Sequence, residues 1–283
     1  MTKSKKKKNQ DNNGNIIKKI SYIILLIVCI ILYARYFGTK GLEIKKYDIT
    51  LEGIPKSFDG FKIVHFSDMD LGSTFYIEQM DNVVNKINKI EPDIVVFTGD
   101  MFLTTDKKNV ERLKSSLKKI DPLIDKYLVR GDKDVKNVFF DEIVSESGFI
   151  DLTNDSKLIY YKGNIPIALY GLDSITKGKP NYVKTLPKNK DVPFKILLTH
   201  EPDIMNELKP NQMNLVLSGH SHNNEINIPL IKKVLSIKGA TNYYDEEYKI
   251  GNTSLFVQSG LGTQKTYMRL FNKPSINVYT LIS

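Results

Sequence analysis

Five short apolar runs in this chain each stop at an aspartate or a histidine, and that recurrence restricts the fold more than any other feature. Phe61-Lys62-Ile63-Val64-His65-Phe66-Ser67 leads to Asp68-Met69-Asp70, and Pro92-Asp93-Ile94-Val95-Val96-Phe97-Thr98 leads to Gly99-Asp100. Tyr127-Leu128-Val129 leads to Arg130-Gly131-Asp132-Lys133-Asp134, Ile196-Leu197-Leu198-Thr199 to His200, and Leu217-Ser218-Gly219 to His220-Ser221-His222. Short apolar runs of this length fit strands buried on both faces, the usual state of a parallel sheet. Ligands in open α/β sheets sit outside the carboxyl ends of the strands, so these side chains are expected to converge. The chain has four histidines (His65, His200, His220, His222), and all but His65 stand at such ends. Neutral imidazole is the commonest metal ligand among side chains. A mixed oxygen and nitrogen set suits Mn, Fe, Zn or Mg.

Between and after these runs the pattern alternates. Met80, Val83, Val84, Ile87 and Ile90 mark a helix face ended by Pro92, and Val110, Leu113, Leu117 and Ile120 mark another ended near Pro122. A third helix is expected from Val135 to Glu146, stopping at Gly148. Strands then dominate, over 157–161, 165–170, 194–199, 214–217 and 255–258. This order points to a two-sheet αββα sandwich, an α/β fold with helices on both outer faces.

The ordered series Asp68-x-Asp70, Gly99-Asp100, Gly131-Asp132-Lys133-Asp134, His200 and Gly219-His220-Ser221-His222 resembles the calcineurin-like metallophosphoesterase family, and more narrowly its membrane-anchored bacterial branch. The family pattern is Asp-x-His, Gly-Asp, Gly-Asn-His-Asp/Glu, His and Gly-His-x-His. The likeness runs from about Tyr47 to the C-terminus, past Val257-Gln258-Ser259-Gly260-Leu261-Gly262-Thr263 to a closing strand, Ile276 to Ile282. It implies the same αββα fold and a phosphoester hydrolase with two divalent ions. One ion would take Asp68, Asp100 and His222, with Asp70 in the place of a histidine. The other would share Asp100 and take His200 and His220, with Asp132 in the place of an asparagine. Lys133 stands where the family has a histidine that assists phosphate binding or leaving-group departure.

These three departures change the charge. Asp68, Asp70, Asp100 and Asp132 bring four carboxylates where the family pattern brings two. More ligand charge favours hard, oxygen-preferring ions such as Mn or Mg over Zn and weakens attraction for an anionic phosphate. Lys133 returns one positive charge, expected at the rim, where it could pair with phosphate. With a reference pKa of about 10.4 it is a poor proton donor near neutrality. A working hydrolase with retuned metals therefore competes with a degenerate relative that binds metal or a phosphorylated ligand without turnover. Every ligand position still carries a residue able to ligate, which favours the hydrolase.

The N-terminus supplies an address. Seven lysines and one aspartate within residues 1–19 carry +6 of the chain's net +9. An apolar stretch over 20–37 follows, closed by Tyr33, Tyr36 and Phe37, with Arg35 able to snorkel. The positive-inside rule puts the lysines in the cytoplasm and residues 41–283, one domain, outside it. A cleavable signal peptide fits less well, because Tyr33-Ala34-Arg35 offers a poor cleavage site, and bulky Val28 argues against lipid attachment at Cys29. The expected partners are the bilayer, through anionic lipid, and a phosphate ester, lipid-linked or of the cell envelope. Nothing calls for nucleic acid, there being no aromatic-interleaved basic motif, or for an obligate protein partner.

Other residues take structural readings. His65, mid-strand, is expected in the core. Tyr243-Tyr244 with Asp245-Glu246-Glu247 reads as an exposed loop. Arg269 is expected to contact phosphate or form a surface salt bridge.

Overall fold

The computed structural model describes residues 2–104, 106–186, 191–228, 237–264 and 266–283. A long helix, α1 (Thr2–Tyr36), precedes two mixed six-stranded sheets packed face to face. Its stretch Asn15–Tyr36, 22 residues of mean hydropathy 2.4, is long and apolar enough to cross a membrane. At 1.5 Å per residue it reaches about 33 Å, against a hydrocarbon core of about 30 Å.

The first sheet contains β1 (Glu43–Ile49), β2 (Lys62–Phe66), β3 (Ile94–Phe97), β4 (Asp125–Leu128), β5 (Ile150–Asp151) and β12 (Ser275–Leu281), in the order β1-β12-β2-β3-β4-β5. The second holds β6 (Asp155–Ile159), β7 (Ile167–Gly171), β8 (Lys195–Leu198), β9 (Leu215–Ser218), β10 (Glu247–Ile250) and β11 (Thr253–Val257), ordered β10-β11-β9-β8-β7-β6. Alternation along each strand divides the core. Ile63, Ile94, Val96 and Tyr127 meet Ile196, Leu198 and Leu217 between the sheets. Val64, Phe66, Val95 and Phe97 face outward under α2 (Met80–Ile90), α3 (Lys107–Lys118) and α4 (Phe140–Ser147). The opposite face is covered more thinly, by α5 (Tyr182–Thr185) and a 3₁₀ turn, Pro202–Asn206, with Leu186 and Ile204 over Tyr170, Leu197 and Val216.

The expected helices are present, with one change of boundary. Val83, Val84 and Ile87 seat α2 on the sheet, and Glu91 at φ 54° turns the chain into Pro92. α4 starts at Phe140 and not at Val135, because residues 134–136 form a separate 3₁₀ turn whose Asp134 side chain is tied to neighbouring loops. Gly148 ends α4 at φ 77°, a left-handed cap that glycine adopts without strain. Sequence patterning passes over β1, β5 and β10. Glu247, read as loop, opens β10, while Glu246 is held by Lys45 at 2.6 Å and by the Tyr47 hydroxyl.

His65 is fully buried, its Nε2 2.8 Å from Thr98 Oγ1 and its Nδ1 facing the Tyr279 hydroxyl. Burial pushes its pKa down to about 3. The folded chain therefore keeps His65 neutral where the unfolded chain, at about 6.5, takes up a proton. Stability is unaffected above pH 6.5 and falls as the pH drops toward 3, by roughly 1.4 kcal/mol per unit from this group. His65→Gln in the detergent-solubilised chain should flatten the urea-unfolding free energy between pH 6 and 4.5 by about one proton's worth. An unchanged slope would remove His65 as an acid-sensitive element.

Candidate metal centre

Strand register brings the acids to one edge. Phe66 pairs with Phe97 and Phe97 with Leu128, so β2, β3 and β4 end level and release Asp68, Asp100 and Asp132 side by side. In the facing sheet Leu198 pairs with Leu217, so His200 and Gly219-His220 leave β8 and β9 at the same height. Packing the sheets face to face closes the acidic edge onto the histidine edge. Glycines permit that closeness. A Cβ at Gly219 would collide with the Asp68 carboxylate and Ser67 hydroxyl, and one at Gly131 with the Asp100 carboxylate.

The loops are strained as well as crowded. Asp68, Asp70, Asp100, His220 and His222 all take left-handed φ, between 43° and 66°. Such conformations are uncommon for residues other than glycine and concentrate at functional sites. Backbone bonds hold them, Asp68 N–H to Gly99 O at 2.9 Å and Asp70 N–H to Asp100 O at 3.1 Å. Asp134 supplies a further brace, since its carboxylate accepts the N–H groups of Asp100 (2.7 Å), Met101 (3.0 Å) and Gly131 (2.9 Å). Burial and the nearby Asp100 charge push Asp134 up to about 6.

All seven expected ligands come together. Donor atoms fall into three groups, each within 4.8 Å: Asp132, His200 and His220; Asp68, Asp70 and His222; and Asp68, Asp100 and His200. The third shares His200 with the first and Asp68 with the second, so the three form one continuous cluster. His200 Nδ1 donates to Thr98 O at 2.7 Å and His220 Nε2 to Lys238 O at 2.8 Å. Those contacts account for one N–H on each ring and leave His200 Nε2 and His220 Nδ1 facing each other 3.1 Å apart, a pair that must share either a proton or a metal ion. His222 Nε2 points at Asp68 and Asp70, 3.3 Å from each, while its Nδ1 is backed by Glu225 at 3.0 Å. A carboxylate behind a histidine is the usual outer support of a metal ligand. Asp70 is held by ion pairs alone, with Lys133 Nζ and His222 Nε2, and Asp132 Oδ1 is buried without a hydrogen bond. Oriented imidazoles beside carboxylates whose positive partners a metal could replace are a donor set that fits divalent metal.

The electrostatics agree. Burial would raise Asp68 and Asp100, but His222 and His200 beside Asp68, and His200 and Lys133 beside Asp100, hold both below the usual carboxylate range. Burial and Asp100 raise Asp132. Burial opposes charge on His200 and His222, yet Asp100 and Asp68 raise the first and Asp68 the second well above the ordinary value.

Lys133 is not at the rim. Its Nζ reaches inward to Asp70 Oδ1 at 2.8 Å and to the Asp100 carboxylate, and Asp70 and Asp100 raise its pKa against the effect of burial. Arg269 departs further from expectation, being fully buried, with Nη2 donating to the carbonyls of Ser259, Gly260 and Gly262. It braces the loop under Asp68, Asp70 and His222 and makes no surface salt bridge. Sequence reasoning also passed over Asn272, whose amide spans the carbonyls of His222, Asn223 and Asn224. No periodicity marks a side chain whose partners are carbonyls of a distant loop. A cavity of about 520 Å³ adjoins the centre, bounded by Asp132, Lys133, His220, Ile226, Gln264 and Thr266 among others.

The model of the calcineurin-like phosphoesterase family matches residues 61–224. An uncharacterized metallophosphoesterase of Bacillus subtilis, YkuE, is 32% identical over 255 residues, 89% of this chain and 89% of its own. The UDP-2,3-diacylglucosamine pyrophosphatase LpxG of Chlamydia muridarum is 23% identical over 309 residues, covering 87% of this chain and 91% of its own. Among solved structures, the NAD nucleotidase NadN of Haemophilus influenzae aligns with a TM-score of 0.48 at 16% identity, covering 71% of this chain and 45% of that one.

Asp134→Ala would leave three buried N–H groups without an acceptor, each costing about 1–3 kcal/mol. Melted in chelator, so that metal plays no part, this variant should unfold well below the unsubstituted chain, and Asp134→Asn should recover part of the loss. Equal midpoints would remove Asp134 as the brace of the loops.

Proposed function

As this chain belongs to the calcineurin-like phosphoesterase family, we propose that it hydrolyses a phosphodiester or phosphomonoester with two divalent ions and is held at a membrane by its N-terminal helix. The observation that carries the reading is the convergence of Asp68, Asp70, Asp100, Asp132, His200, His220 and His222 with their donor atoms turned inward. Asp68, Asp70, Asp100 and His222 would hold one ion; Asp100, Asp132, His200 and His220 the other. Divalent ions bound there, with manganese the first expectation and Fe, Zn or Mg able to replace it, supply Lewis acidity and an acidified water at neutral pH. Asp100, common to both sets, would hold both ions. Glu225, Thr98 O and Lys238 O keep the imidazoles aimed. Lys133 carries positive charge at the cavity wall and orients the phosphate anion without donating a proton readily.

The proposed topology puts residues 1–19 in the cytoplasm, 20–37 across the membrane and 41–283 outside, from the lysine asymmetry. The name of one relative specifies a diacylated sugar nucleotide, which supports a lipid-linked or cell-envelope phosphate as substrate class.

A second reading, a metal or ligand binder without turnover, is favoured by Lys133, whose ammonium already neutralises part of the charge of Asp70 and Asp100. Hydrolysis of bis-p-nitrophenyl phosphate by the detergent-solubilised chain distinguishes them. Turnover should require added metal, stop with chelator, and fall by about 10³ or more in Asp100→Ala. A folded, metal-loaded chain without turnover would establish the binder. Lys133→His should raise turnover if only the family's acid is missing, by roughly 10²–10⁴-fold; a lower rate would give Lys133 its own role.

A further inference from the structure

α1 does not hang from the domain on a free linker. Arg269 N–H donates to Ala34 O at 2.9 Å, and Gly38 lies so close to the Arg269 carbonyl that a Cβ would collide with it. Thr39 Oγ1 closes back on Arg35 O at 3.1 Å. By Glu43 the chain is in β1, with Glu43 N–H on Pro274 O at 2.9 Å. The docked residue, Arg269, is the one whose guanidinium braces the loop under Asp68 and His222.

Around this junction the surface is aromatic. Tyr33, Tyr36 and Phe37 stand exposed on the last turn, and Tyr267 and Phe271 on the loop before β12. The Arg35 guanidinium lies 5.6 Å from the Tyr36 ring centre and 5.7 Å from that of Tyr267, which joins the two groups. Tyr33 and Phe271 border one small cleft. Phe37 and Phe271, 67% and 71% exposed, are the exposed phenylalanines among the described residues. Tyr267 and Phe271 also take left-handed φ, 52° and 57°, a conformation uncommon for residues with a Cβ. The same segment walls the centre. Thr266 Oγ1 donates to Glu225 at 2.9 Å, the Gln264 amide donates to His220 O, and both residues bound the cavity beside Asp132 and Lys133.

From this we infer that the loop Thr266–Phe271 is a second, interfacial contact with the bilayer, which seats the mouth of the cavity at the membrane surface and directs it to phosphate esters carried by membrane lipids. The inference rests on reading α1 as an anchor and the centre as a phosphoesterase. Continuity selects the bilayer as occupant, because the loop extends the aromatic end of a spanning helix, the level at which tyrosine side chains collect. Leu103, Ile226 and Ile237 give the cavity an apolar wall, with Lys177 and Lys238 beside it. An amphiphilic phosphate presents the complementary chemistry.

The chain has no tryptophan, so single substitutions report one place each. Phe271→Trp, Phe37→Trp and Tyr160→Trp are compared in the full chain, in phosphatidylglycerol–phosphatidylcholine vesicles with bromines placed high on the acyl chains. Tyr160 adjoins Tyr161, which packs on Phe58 and Phe61 at the opposite strand end. The Phe271→Trp and Phe37→Trp chains should lose most of their emission and Tyr160→Trp none. Unquenched Phe271→Trp beside quenched Phe37→Trp overturns the inference, including the case of a blue-shifted Phe271→Trp, which would mean that a second copy or another protein covers the loop. Unquenched Phe37→Trp overturns the anchor and the inference with it. In the double variant Tyr267→Ser/Phe271→Ser, turnover of p-nitrophenyl hexadecyl phosphate in vesicles should fall about tenfold, with bis-p-nitrophenyl phosphate unchanged. Equal loss on both esters, or none on the long-chain one, contradicts the substrate class. Failure of the unsubstituted chain to turn over the soluble ester counts against the hydrolase reading alone, since quenching still decides the loop.

Discussion

Three carboxylates buried together, Asp68, Asp70 and Asp100, with half-buried Asp132 beside them, repel strongly unless positive charge lies among them, and the site end of this molecule is built around that requirement. The sheets could pack face to face with apolar loops at this edge at no electrostatic cost. Instead β2, β3 and β4 deliver Asp68, Asp100 and Asp132 level with one another. Several devices make the arrangement tolerable. Glycines at 131 and 219 let loops approach within collision distance of a Cβ. Asp134 ties two acidic loops together through three N–H bonds. Arg269 ties down a third through carbonyls. The remaining imbalance is met by protonated His200 and His222, by Lys133, or by metal, and these compete for the same carboxylates. Metal must displace those protons to reach neutral imidazole, so binding and proton release are coupled.

The departures from the family pattern belong to this balance. Asp70 and Asp132 add two negative charges where neutral ligands would stand, and Lys133 gives one positive charge back. Asp70, with no hydrogen bond of its own, depends on Lys133 at 2.8 Å and on His222 at 3.3 Å. The three substitutions are thus in mutual contact, directly or through Asp100, and their effects should be non-additive. Lys133 has two demands on it, to neutralise the acids and to meet an anion in the cavity. An ammonium on a flexible stem can move between them, which a histidine's shorter, rigid side chain could not.

The convergence of these acids and histidines was legible in the sequence because its signals are local. An apolar run of fixed length ending at Asp or His states both the strand and the edge from which the side chain emerges, and α2 and α3 declare themselves by period. What escaped has a physical reason in each case. β1 and β10 alternate in burial and are rich in Lys and Glu, so they resemble loops. The start of α4 depended on a tertiary tie to Asp134. Lys133 read as a rim residue because its position relative to the chain says nothing of which way a four-carbon stem folds. Arg269 is the clearest instance: a fully buried guanidinium runs against composition rules, and its partners are main-chain oxygens that no pattern of side chains reveals.

Arg269 also joins the two halves of the molecule that sequence reading kept separate, the apolar N-terminal helix and the metal centre. Its N–H holds the last turn of α1, and its guanidinium holds the loop on which Asp68, Asp70 and His222 rest. A flexible tether would have fixed only the distance of the domain from the helix. A docked helix end fixes orientation as well, and with it the direction in which the cavity opens. One residue thereby serves twice, its guanidinium keeping strained ligand loops in place and its main-chain N–H seating the helix end.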